Sequence, residues 1–253
     1  MTDKIELVAC DIDNTLPFEN GRISENALSV AKSVMQNKIN FCLASGRHLS
    51  DMTTLSENLD CFYIACDGAL CMKGTHFVSE KAIPKETLGE IFSRTKASLL
   101  LYSLFNVYCF SDDESFISEN RKRYKNFRVV KSREEIVESI YKTAFFTDND
   151  SDPAIRYAVV NKKLWRVYNN DGWKEFVLYG TNKGTALKAL MKELNVSEKN
   201  AAAFGDNIND MEMLKAVRHS FAVINAKNEV KRMCKYKTED ILNTLVSITE
   251  VGK

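Results

Sequence analysis

The chain has 253 residues, 45% hydrophobic and 27% charged, with 35 Lys and Arg against 34 Asp and Glu and a formal net charge of +1. That composition fits a folded globular protein and excludes a disordered chain. The balanced charge leaves no footprint for nucleic acid or for a polybasic membrane contact. At this length one large domain, or a core carrying an insert, is expected. The seven cysteines fall at 10, 42, 61, 66, 71, 109 and 234 with no Cys-x-x-Cys pair. Several sit inside apolar runs, as small buried hydrophobes do in a reducing compartment. Met1 to Glu6 shows no basic region followed by an apolar one, as a secretion signal would. No apolar stretch approaches the roughly 18–20 residues that cross a bilayer. A cytoplasmic protein with no nucleic-acid or membrane partner is expected.

Ile5 to Cys10 reads as a buried strand ending in an acidic turn. Ser24 is a candidate N-cap for a helix through Ala27, Leu28, Ala31, Val34 and Met35, whose spacing matches one helical face. A second strand, Ile39 to Ala44, ends in Ser45-Gly46-Arg47, and after a short helix a third, Phe62 to Cys66, ends in Asp67-Gly68. This alternation predicts a parallel α/β sheet, in which ligands gather at the carboxyl ends of the strands.

The middle of the chain changes style. Pro84 stands where a helix over Glu86 to Ala97 would begin. Leu99 to Leu101 and Val107 to Phe110 read as paired strands. The basic run Arg121 to Lys125 reads as a solvated face. Ser132 with Glu135 forms a capping-box signal for a helix through Ile136, Val137 and Ile140,. Leu164 to Tyr168 and Trp173 to Tyr179 flank Asn169-Asn170-Asp171-Gly172, a hairpin-turn signal,. Trp165, Tyr168, Trp173, Phe176 and Tyr179 are expected to form one packed sheet face. Helices and hairpins together predict an α+β insert. Beyond it a helix over Lys183 to Leu194, a strand over Ala201 to Phe204, a helix over Met211 to Val217, a strand over Ser220 to Ile224 and a helix over Asp240 to Val246 return to the first pattern.

Four segments carry chemistry. Asp11-Ile12-Asp13-Asn14-Thr15 puts two acids directly after a buried strand, where one can be a nucleophile and the other a proton donor. Gly205-Asp206-Asn207-Ile208-Asn209-Asp210 follows another strand, and its acids suit a hard, oxygen-ligated cation. Ser45-Gly46-Arg47 offers a hydroxyl and amides to a phosphate near a helix start. Lys183 can place an ammonium on a phosphoryl oxygen. Taken singly, each also fits a plain turn, a helix cap or a surface charge. His48, His76 and His219 have no metal-ligand spacing,.

In their order along the chain these four segments resemble the motifs of the haloacid dehalogenase (HAD) superfamily. The chain looks most like the Cof-type phosphatases, with a large cap of the C2B type between the second and third motifs. Asn225-Ala226 with Asn228 to Lys231 is similar to the family's stretch after the fifth core strand. The resemblance implies an α/β fold: a doubly wound, mostly parallel Rossmann-like core over 1–80 and 181–253, with an α+β cap over 81–180 that closes over the site. It implies a Mg2+-dependent phosphatase of a small phosphorylated metabolite, with sugar phosphates the commonest class, acting as a monomer or small homo-oligomer. Asp11 is then the nucleophile and Asp13 the general acid and base. Thr15, Ser45, Gly46, Arg47, Lys183 and Asn209 hold substrate. Asp11, the main-chain carbonyl of Asp13, and Asp206 hold the metal, with Asp210 behind them. Asn14, Asp67 and Ile224 depart from the family pattern, where Gly, Asn and Gly are usual. A phosphomutase like the phosphomannomutases, or a ligand-binding protein that has lost catalysis, is the alternative; two coincidental acidic turns on another α/β fold is a third.

Overall fold

The computed structural model describes residues 4–170 and 172–250. Its chain divides into two compact units, one made of the segments up to Glu80 and from Asn182 onward, the other of Lys81–Thr181. In the first, β1 (Leu7–Asp11) is buried along its whole length. A small hairpin follows, β2 (Phe18–Glu19) and β3 (Arg22–Ile23). α1 (Glu25–Gln36) starts where the Ser24 hydroxyl accepts the Ala27 amide at 3.2 Å, and it buries Ala27, Leu28, Ala31 and Val34. Next come β4 (Asn40–Ala44), α2 (Leu49–Leu55) and β5 (Phe62–Ala65). An antiparallel pair then follows that the sequence reading did not anticipate, β6 (Leu70–Lys73) and β7 (His76–Glu80).

The second unit contains α3 (Lys85–Arg94), β8 (Ser98–Tyr102), β9 (Val107–Phe110), α4 (Glu114–Arg123), β10 (Phe127–Val129), β11 (Lys142–Phe146), α5 (Pro153–Val160), β12 (Leu164–Asn170) and β13 (Trp173–Leu178). Its six-stranded sheet runs β10-β9-β8-β11-β13-β12. One face carries Leu99, Leu101, Phe145 and Phe176, which join Leu88 and Ile91 of α3 and Ile155 of α5 in a single apolar cluster. The basic run closes α4, with Arg121, Lys122 and Arg123 in its last turn, where positive charge suits the carbonyl end of the helix.

Two expectations for this unit are corrected. The Ser132–Glu135 capping box forms, but only a single 3-10 turn, Arg133–Glu135, follows it. Ile136 and Ile140 sink into the apolar cluster while Val137 stays 80% exposed. The Ile140 carbonyl accepts the Ile83 amide and the Tyr141 amide donates to Tyr102, so extended pairing takes the groups a helix would use. The β-branched residues resist the helix as well. The five aromatic residues do not share one face: Trp173 and Phe176 stand three apart and so face opposite sides, with Phe176 opposite Arg166, while the bulge between Arg166 and Tyr168 brings Tyr168 to the side of Trp165 and Trp173,. Phe176 packs on Phe145 at 5.4 Å, Trp173 on Phe146 at 5.1 Å and Trp165 on Tyr179 at 5.8 Å, with Tyr168 exposed. Of the hairpin-turn signal, Asp171 lies outside the described residues.

The chain re-enters the first unit through α6 (Lys183–Glu193), β14 (Ala201–Gly205), α7 (Met211–Lys215), β15 (His219–Val223), α8 (Asn228–Met233), β16 (Tyr236–Thr238) and α9 (Ile241–Glu250). Its eight-stranded sheet has the order β16-β15-β14-β1-β4-β5-β6-β7. The six strands from β16 to β5 are parallel; β6 and β7 add an antiparallel edge. β1 lies between β4, the next strand of this sheet in sequence, and β14, the first strand after the second unit. The strand order reverses there, and in open α/β sheets the carboxyl edge at such a reversal is where ligands bind. No described helix is long and apolar enough to cross a membrane.

After β5, Cys66, Asp67 and Gly68 all hold positive φ, at 50°, 53° and 95°. A Cβ on Gly68 would lie 2.2 Å from the Asn182 carbonyl oxygen, so this turn presses directly on the start of α6. Gly68→Ala is expected to cost about 3 kcal/mol through left-handed strain and backbone overlap. Gly89→Ala, inside α3 with open space around it, is expected to gain about 0.5–1 kcal/mol. Urea unfolding of the two variants checks both signs.

Candidate active site

Asp11 is the last residue of β1, and the chain turns at once behind it. The Thr15 and Leu16 amides both donate to the Ile12 carbonyl, and Asn14 takes φ 58°, a conformation Asn tolerates. The Asn225 side chain donates to the Asn14 carbonyl at 2.8 Å, tying this turn to the loop after β15. The loops after β4 and β5 are also joined. Asp67 N–H donates to the Ser45 carbonyl and Cys66 N–H to that of Arg47.

At the centre lies Lys183, 1% exposed at the start of α6. Its Nζ donates to Asp11 Oδ1 and to Asp210 Oδ1, each at 2.6 Å. The other Asp210 oxygen accepts the amides of Asp206 and Asn207 at 3.1 Å. A second group sits beside it. Arg47 grips Asp13 with two nitrogens, Nε to Oδ2 at 2.8 Å and Nη2 to Oδ1 at 2.6 Å. Ser45 Oγ donates to Asp13 Oδ2 at 3.4 Å and accepts the Arg47 amide at 3.2 Å. Asn209 Nδ2 donates to Asp67 Oδ1 at 3.2 Å. That carboxylate rests on Gly46, where a Cβ would stand 2.9 Å from Asp67 Oδ2.

The electrostatics follow from burial and crowding. Burial raises the Asp11 carboxyl to about 8; Lys183 opposes this, while Asp210 and Asp206 add to it. Asp206 rises to about 6 through burial and then Asp210, again against Lys183. Burial alone would pull the Lys183 ammonium down, but Asp11, Asp210 and Asp67 outweigh it and raise it. The acids outnumber the one buried cation, which is the condition that draws in a further positive charge.

Asp11, Asp206 and Asp210 each offer an oxygen, all within 4.8 Å of one another. An all-oxygen set of this kind suits Mg2+, Ca2+ or Mn2+. Thr15 Oγ1 is buried with no hydrogen-bond partner, a vacancy that a ligand oxygen would fill. The residues present therefore fit a divalent cation beside an anion.

Of the residues singled out in the sequence, Asp11, Lys183, Asp206 and Asp210 meet in one cluster, and Asp13, Ser45 and Arg47 in a neighbouring one. Gly46 and Asn209 meet at Asp67. Asp67, a departure from the family pattern, joins the site as the acceptor for Asn209; its strand-end position, shared with Asp11 and Ser45, is the signal that marks it. Asn225 was read for its resemblance alone, without the tie to Asn14. His48 caps α2 by accepting the Ser50 amide.

A family model described as haloacid dehalogenase-like hydrolase matches residues 8–244. The chain is 25% identical over 242 residues to the HMP-PP phosphatase of Escherichia coli O6:H1 (strain CFT073), covering 89% of this chain and 86% of that protein. The HMP-PP phosphatase of Shigella boydii serotype 4 (strain Sb227) is also 25% identical, with 89% and 90% covered. Among solved structures, BT1666 from Bacteroides thetaiotaomicron, a phosphatase of the haloalkanoate enzyme superfamily, superposes with a TM-score of 0.81 at 21% identity over 98% of this chain and 96% of its own. The HAD subclass IIB sugar phosphatase BT4131 superposes with a TM-score of 0.76 at 18% identity, over 96% and 98%. At these identities the two structures speak for the fold.

Asp206 supplies a test of the crowded acids. Its carboxyl rises from 3.8 to about 6 on folding, so between those values the folded protein keeps a proton the unfolded chain has released. Its contribution to stability therefore falls as pH rises from about 4 to about 6 and stays lost above that. In metal-free protein, Asp206→Asn is expected to add about 2 kcal/mol at pH 8 and little at pH 4. Added Mg2+ is expected to stabilise the parent but not the variant. Urea unfolding at the two pH values, with and without Mg2+, reads both.

Proposed function

We propose that the chain, which belongs to the haloacid dehalogenase-like hydrolases, is a phosphatase that uses Mg2+ to hydrolyse a small phosphorylated metabolite through an aspartyl-phosphate on Asp11. Sugar phosphates are the first substrate class to try. The observation that carries this reading is the Asp11 carboxylate, fixed by buried Lys183 beside two further acids and the unpartnered Thr15 hydroxyl.

Asp11 attacks phosphorus and the ester P–O bond breaks, its electron pair leaving with the alcohol oxygen. Asp13, held in orientation by the Arg47 fork and Ser45, donates a proton to that oxygen. It then takes a proton from the water that attacks the aspartyl-phosphate, so Asp11 is regenerated and inorganic phosphate leaves. Lys183, Thr15, Ser45 and Asn209 hold the phosphoryl oxygens, whose charge must be met throughout the transfer. Asp11, Asp206 and the main-chain carbonyl of Asp13 would hold Mg2+, which when bound would supply positive charge favouring the ionised nucleophile and the bound phosphoryl group. Asp210, with both oxygens engaged by Lys183 and backbone amides, orients this set from behind. Seven unpaired cysteines, six of them buried, support a reducing, cytoplasmic setting.

Phosphate release from sugar phosphates, nucleotides and an aryl phosphate is expected to need Mg2+ and to vanish with a chelator. Asp11→Asn is expected to lower kcat by about a thousandfold or more. Asp13→Asn is expected to lower it by about 10²–10⁴-fold, most for esters with poor leaving groups. Turnover that persists in Asp11→Asn would overturn the covalent mechanism. Phosphate returned to the substrate without release would assign a mutase instead.

A further inference from the structure

A groove of about 890 Å3 opens from Asp13 within the first unit. One wall is the catalytic turn itself, Asp13, Asn14 and Thr15, continued by Leu16 and Phe18. The other is formed by Ile224 and Asn225 after β15 and by Glu239, Asp240 and Leu242 around the start of α9. Asp11, Lys183 and Asp206 are absent from its lining, so the groove lies beside their cluster and adjoins it at Asp13, Thr15 and Arg47.

Three observations say what it would accept. First, Asp13 must reach the oxygen of the departing alcohol, and the group carried by that oxygen needs room beside Asp13; this groove begins at that carboxylate. Secondly, its walls expose apolar side chains to solvent: Ile224 is 59% exposed and Phe18 38%. An occupant with an apolar body would cover both. Thirdly, its charge is one-sided. Arg47, the only cation in the lining, is already paired with Asp13. Glu239 and Asp240 remain, which leaves the groove acidic. The Asp240 oxygens accept the Asn243 amide and side chain at 3.0 and 2.7 Å, so Glu239 is the acid that can turn to a ligand.

Building on the phosphatase reading, we propose that this groove binds the leaving group and selects phosphate monoesters whose alcohol joins an apolar body to a protonated amine. Glu239 pairs with the amine, and Phe18 and Ile224 flank the body. Alcohols bearing a carboxylate or a second phosphate are turned away by the same acids.

The test uses the Mg2+-loaded full chain and three esters of matched size: the phosphates of 4-(aminomethyl)benzyl, 4-methylbenzyl and 4-carboxybenzyl alcohol. Their kcat/KM values are expected to fall in that order, the first about tenfold or more above the last at low ionic strength, with the gap narrowing in salt. Glu239→Lys is expected to close or invert the ratio of first to last. Ile224→Ser is expected to raise KM for all three several-fold. Equal kcat/KM across the series, or a ratio unmoved by Glu239→Lys while phosphate is still released, overturns the groove assignment and leaves the phosphatase standing. No release from any ester by folded, Mg2+-loaded protein overturns the phosphatase reading itself.

Discussion

Taking a lysine ammonium out of water costs several kcal/mol, and Lys183 is buried almost completely,. That cost is offset because Asp11 and Asp210 each place an oxygen 2.6 Å from the nitrogen, and because Asp210 is itself satisfied by two backbone amides. The arrangement joins the ends of β1 and β14 to the start of α6. Asp11, Asp210 and Lys183, which the proposed mechanism uses as nucleophile, orienting acid and phosphate-side cation, are therefore positioned by one interaction. Removing any of the three partners leaves a buried charge uncompensated, and that penalty exceeds what the intact triad contributes.

The same cluster explains why the site is built to be filled. Asp11, Asp67, Asp206 and Asp210 surround a single ammonium, and the raised Asp11 and Asp206 carboxyls are the result. A divalent cation relieves that excess. Asp67 makes the balance harder for an incoming phosphoryl group, since its carboxylate sits on Gly46 and holds the Asn209 amide. In the proposed mechanism, affinity for the anion would thus rest more heavily on the cation and on the donors at Thr15, Ser45 and Lys183.

The core was readable because its strands are continuous apolar runs, each followed by polar residues, and because parallel strands buried on both faces leave little ambiguity. Asp11, Ser45, Lys183 and Asp206 stood out for the same reason: chemistry at a strand end or helix start is visible as a break in pattern. What sequence could not convey was pairing. Nothing local says that Arg47 would grip Asp13 or that Asp67 would reach Asn209, 142 positions away. The second unit was harder still. Ser132 and Glu135 formed their capping box, yet long-range pairing at Ile140 and Tyr141 overrode the helix. Phe176 faces away from Trp173 because three residues separate them in a period-two strand, and only the bulge after Arg166, invisible in the sequence, returns Tyr168 to the side of Trp165,. The β6–β7 pair escaped notice because it extends a parallel sheet with antiparallel strands.

Lys183 meets Asp11 across 172 positions of sequence, and β1 pairs with β14 across the whole second unit. During synthesis the chain therefore carries the Asp11 strand long before its counter-charge exists. Until α6 and β14 emerge, Asp11 has neither the lysine that holds it nor the neighbouring acids that complete its setting. The intervening unit has its own apolar cluster, and its collapse shortens the loop that the two halves of the core must close. Assembly of the Asp11–Lys183–Asp210 cluster is thereby tied to completion of the fold: a chain interrupted anywhere before the last third lacks two of its three members.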